Sequence, residues 1–315
     1  MITNEVCELS EYKRAERLMG NSFEITVVAA EEEWALQKID IAIAEIRRIE
    51  QLLTTFNENS QTNIVNREAG INPVKVSTEV FNLIKRSIKI SALTDGAFDI
   101  TYGSIDKKLW NFDQSMSSLP DKEVARSMVR LINYRNIILN DADCSVMLKE
   151  KGMRIGFGGI GKGYAAEMAR SLLKKEGVIA GIVNASGDLA TWGTQANGKP
   201  WTIGISNPDN PYLPFSYLDL TNMAVATSGN YEKYITINGR KYSHTINPKT
   251  GMPVTGIKSV TIITPNAEIA DAMATPVTIM GVKAGLNLVN QVHFLGCIII
   301  DDNNKIYTSK NINLQ

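Results

Sequence analysis

Residues 156–169, Gly-Phe-Gly-Gly-Ile-Gly-Lys-Gly-Tyr-Ala-Ala-Glu-Met-Ala, constrain this chain more than any other stretch. Glycines at 156, 158, 159 and 161 interrupt an apolar, strand-like run over residues 153–157, and the chain restarts beyond Lys162 as a helix-forming segment. A strand that stops in glycines and resumes as a helix aims several main-chain N–H groups at one place. The first N–H groups of a helix have no partner inside it, and the helix dipole adds partial positive charge there. Such a place attracts phosphate, and Lys162 adds a full charge. The motif predicts a phosphorylated ligand.

Two familiar phosphate motifs nearly match. Gly156-x-Gly158-x-x-Gly161 has the dinucleotide fingerprint, which belongs early in a repeated βαβ unit with an acid shortly after it. Here it lies mid-chain, and the candidate acid, Asp188, sits in another glycine-bearing turn. Gly156-x4-Gly161-Lys162 has P-loop spacing, but Gly163 stands where a hydroxyl should hold magnesium. A third reading is a turn that lets a helix pack closely on a strand.

Composition narrows the class. The 315 residues are 44% hydrophobic and 21% charged, enough for one large domain or two. Lys+Arg and Asp+Glu are 33 each, which argues against a general nucleic-acid-binding surface and leaves room for a local basic pocket. Cys7, Cys144 and Cys297 lack metal or disulfide spacing, and Cys297 reads as a buried strand residue. Residues 1–17 are polar, with no apolar leader before Cys7, and no later segment has the length of a membrane span. The expected location is cytoplasmic, or periplasmic if a leader has been removed.

Hydrophobic periodicity predicts a strand at residues 22–30 and a long amphipathic helix at 31–56. Ser77 caps a helix to Leu93 closed by Thr94-Asp95-Gly96, and Asp121 caps another to about Ile132. Short strands are expected at 136–139, 146–149 and 153–157. The glycine motif opens a helix ending near Glu176, with Gly177 closing it. Further strands are expected at 178–183, 189–192, 201–205, 217–220 and 223–226. Asn238-Gly239 marks a hairpin between 234–237 and 240–243. A strand at 260–264, helices at 267–280 and 283–292, and a strand at 296–301 complete the pattern. Helices and hairpins interleave without strict βαβ alternation, so the fold class is α+β rather than a doubly wound sheet.

Of the two histidines, His293 lies in Gln-Val-His-Phe-Leu and reads as structural or exposed. His244 lies in Tyr-Ser-His-Thr-Ile-Asn-Pro-Lys-Thr-Gly, a tight loop leaving the hairpin, where an imidazole can exchange a proton. Asp271 and Thr275 are four apart on a helix, so their oxygens share one face and suit magnesium. Pro276 lacks an N–H, leaving the carbonyl of Ala272 without its usual partner.

Taken in order, Met19-Gly20, residues 95–99, 158–164, 184–188, 226–231, 243–251 and 270–275 resemble the ApbE family, the FAD:protein FMN transferases. The resemblance covers nearly the whole chain. It implies an ApbE/T-fold-like architecture, mixed and antiparallel sheets against helices, with a ligand cleft between two lobes. An N-terminal extension (1–18) would precede one flavin-transferase domain (19–315). It implies FAD as substrate, Mg2+ at its pyrophosphate, and a Ser or Thr hydroxyl of an acceptor flavoprotein as nucleophile, with AMP released. Through the same resemblance His244 stands as general base, and Lys162 stabilises charge. Met19, Phe56, Ala97, Phe98, Asp99, Gly156, Lys162 and Thr245 match flavin-nucleotide contacts. Asp271, Thr275 and the main-chain oxygen of Gly159 match metal ligands, and Ala274 lies at a further metal-side position without a side-chain oxygen.

The chain departs from the family pattern in three places. Phe56 replaces a frequent Tyr, Gly156 replaces an Asp, and Asn247-Pro248 replaces Asp-Pro. Two rival functions are an FAD pyrophosphatase giving FMN and AMP, and a non-catalytic flavin-binding protein.

Overall fold

The computed structural model describes residues 8–106, 118–207, 210–229, 234–237 and 239–312. Cys7, Asn230, Tyr231 and Asn238, named above, lie outside these. In chain order the elements are β1 (Ser10–Leu18), β2 (Asn21–Ala29), α1 (Glu32–Leu53), α2 (Gln61–Arg67), β3 (Val74–Lys75), α3 (Thr78–Leu93), α4 (Lys122–Met128), β4 (Ile137–Asn140) and β5 (Ser145–Leu148). There follow α5 (Gly161–Lys175), β6 (Gly181–Ala185), β7 (Asp188–Trp192), β8 (Trp201–Asn207), β9 (Asn210–Leu220), β10 (Ala224–Gly229), β11 (Tyr234–Ile237) and β12 (Arg240–Ser243). The last are β13 (Ile257–Thr264), α6 (Ala267–Val289), β14 (Gly296–Asp301) and β15 (Ile306–Thr308). The class is α+β, as expected.

The chain divides into two compact units. The first comprises Met1–Glu50, Lys162–Ala226 and Ile263–Ala270. Its sheet runs β1-β2-β6-β7-β10, antiparallel at each step. Met19 and Gly20 were expected ahead of the first strand; they form the turn between β1 and β2, both with positive φ (51° and 76°). Two such residues give a turn whose twist matches the flanking strands. β1 gave no apolar signal because it is an edge strand of alternating charge, half exposed along its length. Phe23, Ile25 and Val27 of β2 and the stripe Ala35, Ile39, Ala42, Ile46 and Ile49 of α1 are buried. The strand expected at 178–183 starts only at Gly181, because the preceding residues close α5. Gly177 has φ 85°, and Val178 N–H reaches back to the carbonyl of Leu173 at 3.0 Å, a Schellman closure. Trp192 then fills the space over Gly181, where an added Cβ would lie 2.6 Å from the indole.

A buried carboxylate ties two helices of this unit together. Glu167 on α5 accepts from Arg170 Nη2 at 2.5 and 2.7 Å, and its Oε2 also accepts from the N–H of Ala267, the first residue of α6, at 2.8 Å. Arg170 donates onward to the carbonyls of Pro265 and Thr191. Glu167 thereby caps α6 from another helix and places its start against α5.

The second unit comprises Gln51–Gly161, Thr227–Ile262 and Asp271–Gln315. It holds the antiparallel sheet β3-β5-β4, the β11–β12 hairpin, and β13-β14-β15 as hydrogen-bonded neighbours. Ser77 caps α3 by accepting from Val80 N–H, and Asp121 caps α4, both as expected; α4 ends at Met128, short of Ile132. Helix α2 escaped the sequence because Gln-Thr-Asn-Ile-Val-Asn-Arg has no apolar stripe; its start is made by Ser60 accepting from Asn63 N–H at 3.1 Å. Cys297 in β14 is fully buried, and burial pushes its thiol up to about 12. His293 is exposed and stacks on Phe294.

Helix α6 corrects one expectation. By length and composition it is apolar enough to cross a membrane, with a mean hydropathy of 1.3 over its most apolar window, half of it buried in the protein. Gly281 has φ 81° and ψ 169°, which breaks the helix where the sequence placed a gap between two. The segment before the break spans roughly 20 Å at 1.5 Å per residue, short of the ~30 Å hydrocarbon layer.

Glu167→Ala would leave a buried guanidinium and a buried N–H without their partner. Urea denaturation should show a loss of about 3 kcal/mol, and Glu167→Gln should lose less because the N–H of Ala267 keeps an acceptor.

Candidate active site

The approach to the glycine motif is extended, but it is not the strand expected at 153–157. Its backbone groups are taken by side chains and a lone carbonyl rather than by a neighbouring strand. The buried amide of Asn66 brackets Ile155, accepting from its N–H at 2.7 Å and donating to its carbonyl at 3.0 Å. Ser104 Oγ does the same for Arg154, and Gly156 N–H donates to the carbonyl of Ile100 at 2.8 Å. Asn66 thus replaces a strand partner. Phe157 is buried, and its carbonyl accepts from Ile160 and Gly161. The N–H groups of Gly156, Ile160 and Gly161 are therefore used within the protein, and the phosphate cradle is narrower than the motif suggested.

Two glycines of the motif are not explained by the protein. A Cβ added at Gly156 or Gly158 would meet nothing within 4 Å, and neither has positive φ. Gly159 faces the ring of Phe98, 3.6 Å from an added Cβ. Gly156 thus leaves open space on its side-chain face.

Lys162, the first motif residue of the other unit, is ion-paired with Asp188, whose carboxylate is buried. Asp188, the candidate acid of the dinucleotide fingerprint and the end of the 184–188 motif, pairs with this lysine. Met19 belongs to this unit as well.

The turn at 94–99 is built by Thr94. Its carbonyl accepts from Ala97 and its hydroxyl from Phe98 N–H at 3.0 Å, while Asp95 and Gly96 take positive φ. Ala97, Phe98 and Asp99 are buried. Asp99 accepts from Thr101 N–H at 2.8 Å, Thr101 Oγ1 at 2.6 Å and Tyr134 N–H at 2.8 Å. Burial pushes its carboxyl above the usual range, and these hydrogen bonds oppose the shift. Its carboxylate is committed to the backbone of its own neighbourhood. Phe56 differs from all of these, standing 98% exposed on the loop after α1.

His244 is exposed on a loop that is closed by backbone bonds. Ser243 N–H reaches Val254, Val254 N–H reaches Thr245, and Asn247 N–H reaches Met252, each at about the normal length (3.1, 2.9 and 2.9 Å). Asn247 Oδ1 accepts from Lys249 N–H at 2.9 Å, so this residue makes an Asx turn. Thr245 N–H donates to Ser243 Oγ at 2.9 Å. Buried Ile246 packs with Ile105, Ala125 and Val129, fastening the loop to α4.

Asp271 is buried and Thr275 half-buried, one turn apart on α6. Among the described residues no three His, Cys, Asp or Glu side chains gather as a metal cluster. One carboxylate with a hydroxyl suits Mg2+, which is held through one or two carboxylates plus substrate phosphates rather than in an all-protein cage. The donors present fit that ion. Gly159 lies in the same unit as these two, and Lys162 in the other.

The fold is that of an α+β protein with helices and antiparallel sheets. A family model described as the ApbE family matches residues 19–299, and the chain belongs to the ApbE family. An FAD:protein FMN transferase of Klebsiella pneumoniae (strain 342) is 30% identical over 300 residues, covering 95% of this chain and 92% of that protein. One from Escherichia coli (strain K12) is 29% identical, covering 77% and 70%. The crystal structure of the ApbE protein of Thermotoga maritima superposes with a TM-score of 0.84 at 30% identity, covering 96% and 97%. The apo flavinyl transferase ApbE of Pseudomonas stutzeri shares the fold, with a TM-score of 0.82 at 24% identity over 96% and 95%.

Gly251 holds the His244 loop in place. It has φ 69°, and a Cβ there would fall 2.0 Å from the carbonyl oxygen of Ala125. Gly251→Ala should cost at least about 2 kcal/mol in denaturant unfolding, from left-handed strain plus the clash. Hydrogen exchange should show the Asn247 and Val254 amides losing protection first.

Proposed function

We propose that this chain transfers the FMN half of FAD to a Ser or Thr hydroxyl of an acceptor flavoprotein and releases AMP. Membership of the ApbE family supports a flavin transferase. The observation that carries the finer reading is the bare glycine turn. Neither packing nor backbone conformation requires glycine at 158, and that bare face of the turn leaves room for a ligand to approach the backbone.

In this reading the acceptor hydroxyl oxygen attacks the phosphorus of the FMN half. The new O–P bond forms as the bridging P–O bond breaks, and AMP carries away the electron pair. His244 takes the hydroxyl proton, an exposed imidazole on a fixed loop being suited to that exchange. Lys162 supplies positive charge toward the diphosphate, with Asp188 setting its position. Met19, Ala97, Phe98, Asp99, Gly156 and Thr245 shape the flavin-nucleotide surface. Asp99 does so through the turn it holds rather than through a spare carboxylate oxygen. Asp271, Thr275 and the Gly159 carbonyl would hold Mg2+, which supplies charge neutralisation on the diphosphate when bound.

Co-expression with candidate flavoproteins, read by intact mass, should show an acceptor gaining one FMN. With FAD and Mg2+ but no acceptor, FMN and AMP should form only slowly; rapid stoichiometric release would instead identify a pyrophosphatase. His244→Ala should retain FAD binding and lose transfer by about 10²–10⁴-fold. Full activity in that variant would remove His244 from the mechanism.

Phe56 gives a separate test. An aromatic ring this exposed contributes little to folding, so Phe56→Ala should leave the melting temperature unchanged. If the ring stacks on the flavin nucleotide, the FAD dissociation constant should rise about tenfold, measured by flavin fluorescence.

A further inference from the structure

The second unit contains a recess of about 380 Å³, of whose lining residues the roles above use only Asp99, through the turn it holds. Four cations line it, Arg126, Arg130, Arg135 and Lys249, against the two carboxylates of Asp95 and Asp99. Neither carboxylate balances all of them. Asp95 is shared by Lys249 Nζ at 2.5 Å and Arg135 Nη2 at 3.9 Å, and Lys249 chiefly holds its carboxyl below the usual range. Asp99 is buried and filled by the donors of Thr101 and Tyr134. Arg126 lies in the last turn of α4, and Arg130 follows just beyond its end at Met128. Both are exposed, and among the described residues neither guanidinium has a hydrogen-bonding or ion-pair partner. The chain as a whole is neutral, so this concentration of positive charge is local.

The recess is poorly suited to a nucleotide. Its aromatic residue, Tyr134, is buried, and the Arg135 guanidinium covers its ring at 4.7 Å. No bare ring face is left there for a base. Long, exposed cations spaced around an open hollow suit several carboxylates on a flexible chain, attracted from a distance and read together. Pro248 and Lys249 also line it, in the same closed loop as His244. We propose that this recess docks an acidic stretch of the acceptor polypeptide and so delivers its hydroxyl residue to His244. The inference rests on the flavin-transfer reading above and names where the partner binds.

The test uses the full chain with FAD and Mg2+ and a fluorescein-labelled, Glu-rich peptide of about ten residues carrying one serine, read by anisotropy. The peptide should bind, and its affinity should fall about tenfold between roughly 50 and 300 mM NaCl. Arg126→Glu and Arg130→Glu should each weaken binding about tenfold. Lys122→Glu, an exposed cation on the same helix outside the recess, should change it less than about twofold. Flavin fluorescence should report the same FAD affinity in all variants, and thermal melts should show that all are folded. Unchanged binding in Arg126→Glu, or an equal loss in Lys122→Glu, would overturn the proposal. Displacement of the peptide by inorganic phosphate or AMP, at concentrations where sodium chloride of matched ionic strength has no effect, would overturn it too and identify a small-anion site. With a flavinylated acceptor in hand, Arg126→Glu should raise the acceptor KM with kcat and FAD KM unchanged. An unchanged acceptor KM speaks against the recess, whereas absence of flavinylation by the wild-type chain speaks against the transfer reading.

Discussion

One buried carboxylate does much of the positioning in this protein. Glu167 satisfies Arg170 and, with the same side chain, the first N–H of α6. The start of α6 would otherwise carry an unpaired buried donor, which costs free energy comparable to a lost hydrogen bond. The helix that follows the glycine motif and the helix that carries Asp271 and Thr275 therefore share one polar anchor. Because the pair is buried, breaking it leaves a desolvated charge rather than a solvated one, so the anchor is rigid.

A second device of the same kind acts on the glycine motif itself. The segment before it is apolar and would pass for a strand, yet the Asn66 amide and the Ser104 hydroxyl take the places of a strand partner. A side-chain partner bonds one residue and does not propagate a ladder. That leaves the chain free to turn at Gly158 and Gly159 and enter α5. Asn247 and Gly251 do comparable work for the loop of His244, the first by an Asx turn and the second by close approach to α4. In both cases a mobile-looking, glycine-bearing sequence is held by specific donors and acceptors.

Much of the local structure around the candidate residues is legible in the sequence, because they sit in short motifs whose local chemistry is strong. Gly156 to Lys162, the loop from Ser243 to Gly251, and Asp271 with Thr275 were each readable from spacing. Helices α1, α3 and α5 were readable from period and caps, and the ApbE resemblance from the order of the motifs. What escaped was of another sort. β1 carries alternating charge because it is an edge strand, and α2 lacks an apolar face. The partnership of Lys162 with Asp188 joins residues 26 positions apart. The basic recess draws on three separate segments, around residues 95–99, 126–135 and 248–249.

The amino-acid sequence by itself determined the local conformations and the inventory of chemistry: where helices start and stop, which turns need glycine, and which groups can carry a proton, a metal or a phosphate. Those follow from forces that act over a few residues. The tertiary structure alone decided which of those groups are spent on the fold and which are left exposed. Asp99 and the N–H of Gly156 are spent, whereas Phe56, Arg126 and the bare faces of Gly156 and Gly158 are left over. Hydrogen-bond satisfaction and burial depend on partners distant in the chain, and only the packed fold brings those partners within reach.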